Sequence, residues 1–530
     1  MDSRLHKVLS KVLPVRGDET TVALLMFAYS FLAMTAYNIF KPVTKSKVID
    51  EIGSNNLPLV LLASSLLIGL VMHLYSSAAR RLPRRQVVPL TQTGIIVLLC
   101  IFWLLLRTGA VWVTIGLYFF GHILGILLIS QFWTMANEIY DARQAKRLFG
   151  LIGGGACLGG ALGNFITAAM IAQLGSNNLI LVSAAVLAVC VAIVWRITRL
   201  CNVGQHAEFE EEVGVGGREA LRLLAESPHL RVLAAIVGLA VMGAALVDQQ
   251  LSMAAEALHV DPDDIAEFLA KVGAYLSLAA FAVQVGLTSR IHRSWGIPAA
   301  LLLLPVGLGT SATLILLTGA LWAVGAARVL DGTLRYSLDK TTREVLFLPV
   351  PAGLRFRAKP FIDVTMEKLG KAFAAVLILV LIRPWGLGLD WRTLSYASLV
   401  MTAVWIAVAL LAWREYLRAF RASIGSRAIA PGTMRAEVAD PATIETLVEE
   451  LSHPDETAVL YAIDMLEALD KRHLVTPLLL QHESPRVRAR TLRALALSRS
   501  HAASRWLPTV TRMVQDEDVN VRAAALRALA

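Results

Sequence analysis

Charged side chains recur at helical spacing inside stretches that are otherwise apolar. Arg328, Asp331, Arg335, Asp339 and Arg343 follow one another at three and four residues with alternating sign, which puts one charged stripe on a single helix face. Asp363, Glu367 and Lys371 are four apart, as are Tyr37, Lys41 and Lys45, and Lys271 with Tyr275 repeats that interval. Asp248, Gln249 and Gln250 stand together in LVDQQ, and Asn137 and Glu138 close another apolar run. A charge in lipid costs several kcal/mol unless a cavity or a partner relieves it, so each is a functional candidate. Rings beside cations suit a multiply charged anion that carries a ring. The carboxylates among them (Glu138, Asp248, Asp331, Asp363, Glu367) have two open roles, balancing an empty site or binding a coupling proton at a gate.

Each pattern has a structural reading beside the chemical one. Lys41 and Lys45 sit toward the outer end of their run and would snorkel to the headgroups. Lys271 is about two turns from Asp261, Asp263 and Asp264, so snorkelling or pairing there weighs as much as a binding role. A salt-bridge ladder would give the same stripe as Arg328–Arg343, although the mid-span position of Arg328 favours a solvated wall. His73 and His122 are isolated in apolar segments and read as packing residues. Cys100, Cys157, Cys190 and Cys201 have neither metal nor disulfide spacing and read as small apolar packers. Gly155, Gly159 and Gly163 repeat every four residues, letting two helix backbones approach closely. A phosphate-loop reading of that run fails because no Gly-Lys-Ser/Thr ending follows it and no strand precedes it.

The elements that must position these residues are membrane helices. Of 530 residues, 56% are hydrophobic, and runs of about 20 apolar residues recur from Thr21 to Trp413. The expectation is an all-α protein with twelve spans near 21–45, 57–78, 87–106, 110–138, 148–174, 178–198, 230–256, 264–288, 296–318, 320–344, 360–382 and 393–414. No small-residue cleavage site follows the first run, so it reads as a retained helix. Basic residues mark alternate connections: Arg80, Arg81, Arg84 and Arg85; Arg143, Lys146 and Arg147; Arg196, Arg199, Arg218 and Arg222; Arg290 and Arg293; Arg343, Arg355, Arg357 and Lys359. That bias places both termini in the cytoplasm, and it reads the net charge of +10 as topology, with no nucleic-acid partner.

An acidic linker at 199–229 (Glu208, Glu210, Glu211, Glu212) divides a six-helix bundle at 1–198 from another at 230–415. YSSAARRLPRRQVVPL is echoed by LTSRIHRSWGIPAALLLL at the equivalent place in the second bundle. Two such halves look like the major facilitator architecture, which rocks two bundles around a midplane site. After a linker at 416–431 the composition changes, and 432–530 reads as soluble helix hairpins. Val487, Arg488, Leu492 and Leu495 match Val521, Arg522, Leu526 and Leu529, with a weaker copy at 454–469; these resemble HEAT repeats, an α-solenoid whose units must stack. The last helix has an apolar face without a polar cap, so the expectation is a longer native chain or a partner surface there.

With these residues assembled, the membrane part resembles the ATP/ADP translocase (nucleotide transporter) family of plastids and intracellular bacteria. The likeness is carried by TAYNIFKPVTKSK (35–47), FWTMANEIYDARQAKRLFGLIG (132–153), LVDQQ (246–250), REVLFLPV (343–350) and RAKPFIDVTMEKLGKAFAA (357–375). It implies functional roles for Lys41 or Lys45, Glu138, Asp248 and Lys371. Two departures stand against it. Ser252 replaces a lysine often found just after the span-7 acid, and Ala372, Phe373, Ala374 and Ala375 replace a glycine-rich tail. The HEAT appendage resembles that of bacterial multidomain relatives, in which it leads to a cyclic-nucleotide-binding domain.

The functional expectation is a carrier of nucleotides or related phosphorylated anions in a bacterial plasma membrane, regulated by the repeats through a further domain or protein partner. The alternatives are a carrier of a non-nucleotide organic anion and a non-transporting membrane sensor or scaffold. An enzyme is not expected, since no nucleophile–base pair or metal cluster appears, and neither is a cofactor. Substrate binding is expected from Tyr37, Lys41, Lys45, Asn137, Glu138, Asp248, Gln249, Lys271, Tyr275, Arg328, Arg335 and Lys371.

Overall fold

The computed structural model describes residues 19–64, 67, 71, 75, 84–201, 222, 224–225, 227–259, 261–286, 288–347, 349–350, 354, 358–359, 361–425, 441–496 and 503–529. Among them all regular structure is helical. Helix α1 (Thr20–Ile52) runs for 33 residues, about 50 Å at the rise of an α-helix. It passes the expected end of span 1 and stops only at Gly53, whose φ of 79° is open to glycine at no steric cost. Lys41 and Lys45 therefore lie inside a continuous helix and not at its outer tip.

Helices α2 (Arg84–Leu105) and α3 (Val111–Ile139) follow. Helix α4 (Ala142–Leu200) covers 59 residues, too long for one crossing, and breaks at Gly175 (φ 72°, ψ 158°). The break falls between the expected spans 5 and 6. Helix α5 (Pro228–Leu258) begins with Ser227, whose hydroxyl accepts from the Leu230 amide, and with Pro228 in the first turn. Helices α6 (Pro262–Gly286) and α7 (Thr288–Thr318) complete the spans before the charged stripe.

The stripe itself lies on α8 (Leu321–Leu334), a π-helical turn at Arg335–Asp339, and α9 (Lys340–Leu346). A second π-helical turn, Phe361–Met366, leads into α10 (Glu367–Ile382), and α11 (Leu394–Gly425) closes the membrane part. Among the described residues, eight helices are long and apolar enough to cross a bilayer, the broken α4 being one of them. Twelve spans were expected. Expected spans 10 and 11 fall short of that measure because charge and π-turns divide them, and most of span 2, with His73, lies outside the described residues. So do the side chains of the basic clusters at 80–85, 143–147, 290–293 and 355–357.

The four-residue glycine repeat of α4 lies on the backbone of α1. A methyl group added at Gly155 would come 2.9 Å from the Phe27 carbonyl. At Gly159 and Gly163 it would fall on the carbonyls of Phe31 and Thr35. Thr35 Oγ1 donates to the Gly159 carbonyl at 3.1 Å.

The C-terminal region forms α12 (Pro441–Glu450), α13 (Glu456–Ala468), α14 (Pro485–Ala496), α15 (Ala503–Arg512) and α16 (Val519–Leu529). The matched arginines do the same work. Arg488 Nη1 donates to the carbonyls of His482 and Glu483, and Arg522 Nη1 to those of Asp516 and Glu517, closing the turn before each helix. One apolar cluster runs from Leu230, Leu346, Tyr416 and Phe420 into Leu447, Leu451, Val459 and Leu466. The solenoid is thus seated on the membrane bundle at the ends of α5, α9 and α11.

Candidate functional site

A cavity of about 680 Å³ lies between the helices of the first and second halves. Helix α1 supplies Tyr37, Lys41 and Lys45 to it, α3 supplies Tyr118 and His122, and α5 supplies Asp248. Arg328 and Arg335 come from the stripe, and Asp363, Glu367 and Lys371 from the second π-turn and α10. Among the described residues seven cationic side chains line it against four carboxylates, so the wall favours an anion.

At the floor, Asp248 joins the halves. Its Oδ2 is 2.9 Å from Lys45 Nζ and its Oδ1 is 3.6 Å from Arg328 Nε. Lys45 is only 8% exposed, which removes it from the headgroups. Arg328 Nη1 also reaches Asp331 Oδ2 at 3.1 Å, and Asp331, fully buried, is bonded in turn by Arg335. Arg335 donates as well to the Ala240 carbonyl. The stripe is therefore both an ion-pair ladder and, through Arg328 and Arg335, a cavity wall. A carboxylate so buried is tolerated because two guanidinium groups answer it; taking one away would strand charge.

Lys41 Nζ stands 5.9 Å from the Tyr37 ring centroid and has no carboxylate within ion-pair reach among the described residues. Lys371 pairs with Glu367 at 2.6 Å, and Arg343 with Asp339 at 3.1 Å. At the mouth, Lys359 lies 2.9 Å from Glu344 and 3.5 Å from Asp363. These mouth residues adjoin the repeats, so the cavity opens on that side of the bundle. The opposite side is closed by bonds between the halves. The Ser54 amide donates to Glu256 Oε2 at 2.9 Å, Gln249 Nε2 donates to the Ser54 carbonyl at 2.9 Å, and Arg383 bonds Asn56. The Ser176 amide donates to Asp263 Oδ1 at 3.2 Å.

The structure brings Tyr37, Lys41, Lys45, Asp248, Arg328, Arg335, Asp363, Glu367 and Lys371 to one cavity, with Asp331 immediately behind. Five expected residues stand elsewhere. Gln249 belongs to the closed side. Asn137 and Glu138 end α3 off the cavity wall. Tyr275 is 67% exposed and Lys271 pairs with Glu267 at 2.5 Å on the outside of α6. Spacing put Lys271 and Tyr275 on one face, but that face is exposed and does not line the cavity. Conversely, Tyr118, His122, Gly121, Gly125 and Lys340 line the cavity and were not expected there. The four-residue interval of Tyr118 with His122, and of Gly121 with Gly125, was the available signal.

The helices and their central cavity define a multi-spanning membrane transporter of the alternating-access kind, a fold that belongs to carriers and not to an enzyme family. The Major Facilitator Superfamily matches residues 23–333 and HEAT repeats match 474–530, so the chain belongs to the Major Facilitator Superfamily and carries a helical repeat region. Among curated proteins it is similar to the chloroplastic ADP,ATP carrier protein 1 of Arabidopsis thaliana, at 23% identity over 336 residues, 56% of this chain and 53% of that one. ADP,ATP carrier protein 3 of Rickettsia conorii is 21% identical over 365 residues, 59% of this chain and 72% of that one. The chain thus spans about half the length of the plant carrier it matches. Among solved structures, a bacterial homologue of the human lysosomal transporter Spinster, inward-facing and unoccupied, superposes with TM-score 0.51 at 14% identity, covering 76% of this chain and 99% of that one. The nucleoside transporter NupG gives 0.50 at 13% identity, covering 74% and 98%.

Proposed function

We propose that this chain carries nucleotides or closely related phosphorylated anions across a bacterial plasma membrane by alternating access. The observation that carries the reading is the floor of the cavity. Asp248 occupies the place of an anion between Lys45 of one half and Arg328 of the other, with Lys41 uncompensated nearby. A substrate phosphate would take that place, and the cavity volume lies within the range of about 300–1,000 Å³ usual for small-molecule sites. The relatives named as ADP,ATP carriers favour a nucleotide over another organic anion.

In this reading twelve spans form bundles at 1–198 and 230–415 about the linker at 199–229, both termini are cytoplasmic, and the cavity faces the cytoplasm. The solenoid at 432–530 regulates the carrier, supported by the apolar cluster that ties Leu447 and Leu451 to Leu346 beside Arg343. Such a regulator works by favouring one of two conformations. Uptake of labelled ATP and ADP by proteoliposomes tests the proposal. Arg328→Ala and Lys371→Ala are expected to lower uptake by about tenfold or more, as loss of a charge contact with phosphate would. Uptake that neither change affects would refute a charged site.

A further inference from the structure

The two walls of the cavity differ in kind. The wall from α1 and α3 holds Tyr37, Tyr118 and His122 beside Lys41 and Lys45, while the facing wall from α5 to α10 holds Arg328, Arg335, Arg343 and Lys371. Among the described residues the one ring on the facing wall, Phe347, is at the mouth. Rings on one side and guanidinium groups on the other would sort a two-ended ligand by its ends.

The ring wall is built around bare backbone. A methyl group at Gly125 would lie 2.7–2.8 Å from the Tyr37 ring and hydroxyl, and one at Gly121 would lie 3.1 Å from Phe40. Glycine leaves room for these rings against α3, and Lys41 Nζ stands over the Tyr37 ring. One turn along, Tyr118 and His122 meet edge to face with centroids 4.7 Å apart and planes at 80°. Packing alone would explain two rings in contact. Their polar atoms are turned to the cavity, since the Tyr118 hydroxyl and the His122 ring nitrogens line it and have no hydrogen-bond partner among the described residues. Polar groups on such a wall are open to water or to a ligand. A hydroxyl and an imidazole, set beside a ring face, match the edge and face of a planar nitrogen heterocycle.

We propose that Tyr118 and His122 recognise the base of the substrate, with Tyr37 as its stacking surface, while the phosphates lie toward Lys41, Lys45 and the arginines. The inference rests on the anion reading above and adds which wall sets specificity. The test compares ATP with inorganic tripolyphosphate, which has the charge but no ring, by calorimetry on the purified full chain. Wild type is expected to bind ATP more tightly by at least about tenfold. His122→Ala and Tyr118→Phe are each expected to shrink that preference by at least about threefold with tripolyphosphate binding unchanged, which also serves as the control for folding. Arg328→Ala is expected to weaken both ligands together. Equal binding of the two ligands by wild type, or an unchanged ratio in the ring variants, overturns the ring wall and leaves the anion site standing. Failure of wild type to bind either ligand overturns both.

Discussion

Asp248 is where the electrostatics of the carrier concentrate, since one carboxylate answers two cations from different halves. Asp248→Asn keeps the shape and removes the charge, leaving Lys45 and Arg328 without a competitor for phosphate. The expected result is an ATP affinity raised by about threefold to tenfold, together with slower exchange. Calorimetry and proteoliposome flux on the same preparation check both halves of that statement; weaker binding would show that Asp248 positions the cations and does not compete for them. Far from the membrane, Asp516 accepts from Arg488 Nε at 3.0 Å and Nη2 at 2.9 Å. Those bonds first, then the Asp518 amide, hold its carboxyl below the ordinary carboxylate range. With a depressed folded value, the stabilisation is complete above the unfolded pKa near 4 and disappears as pH falls through the lower folded one. Protection of the α14 and α16 amides in the full chain, measured against the intrinsic exchange rate at each pH, is therefore expected to hold down to about pH 4 and to fall below it. Onset between pH 6 and 5 would contradict this account of the pair.

At the scale of helices, the contact of α4 with α1 depends on missing side chains. Gly159→Leu would drive atoms into the Phe31 carbonyl, with an expected cost of about 1–3 kcal/mol or more. Gly150, with nothing within 4 Å of an added methyl group, is the matched control, and Gly150→Ala is expected to be neutral or slightly stabilising. Thermal unfolding in detergent distinguishes the two. That stripe was legible in the sequence because a four-residue interval of glycines has one obvious use in lipid. The charged stripe Arg328–Arg343 was legible for the same reason of period, and so were Arg488 and Arg522 as equivalent repeat residues. Period, however, gives a face without saying what the face meets. Tyr37 with Lys41 and Lys271 with Tyr275 have the same spacing, yet only the first pair faces the cavity. His122 was hidden because one histidine in an apolar helix looks like packing, and its meaning depends on a partner wall more than a hundred residues away. The π-turns at Arg335–Asp339 and Phe361–Met366 leave no periodic trace, so from sequence alone those two spans read as uninterrupted helices.

The whole molecule is caught on one side of its cycle. Its cavity is open beside the repeats and shut at the other end by Ser54 with Glu256, Gln249 with the Ser54 carbonyl, and Asn56 with Arg383. Opening that end requires those bonds to break while the mouth residues close, and phosphate at the floor would supply the differential binding such a shift needs. The solenoid rests on the ends of α5, α9 and α11, so any motion it makes reaches the second half. The most direct measurement is an experimental structure of the full chain with ATP bound. The account predicts phosphate density touching Lys41, Lys45 and Arg328, with Asp248 released from at least one of its two cations. ATP density elsewhere, with Lys45–Asp248–Arg328 intact, would contradict it.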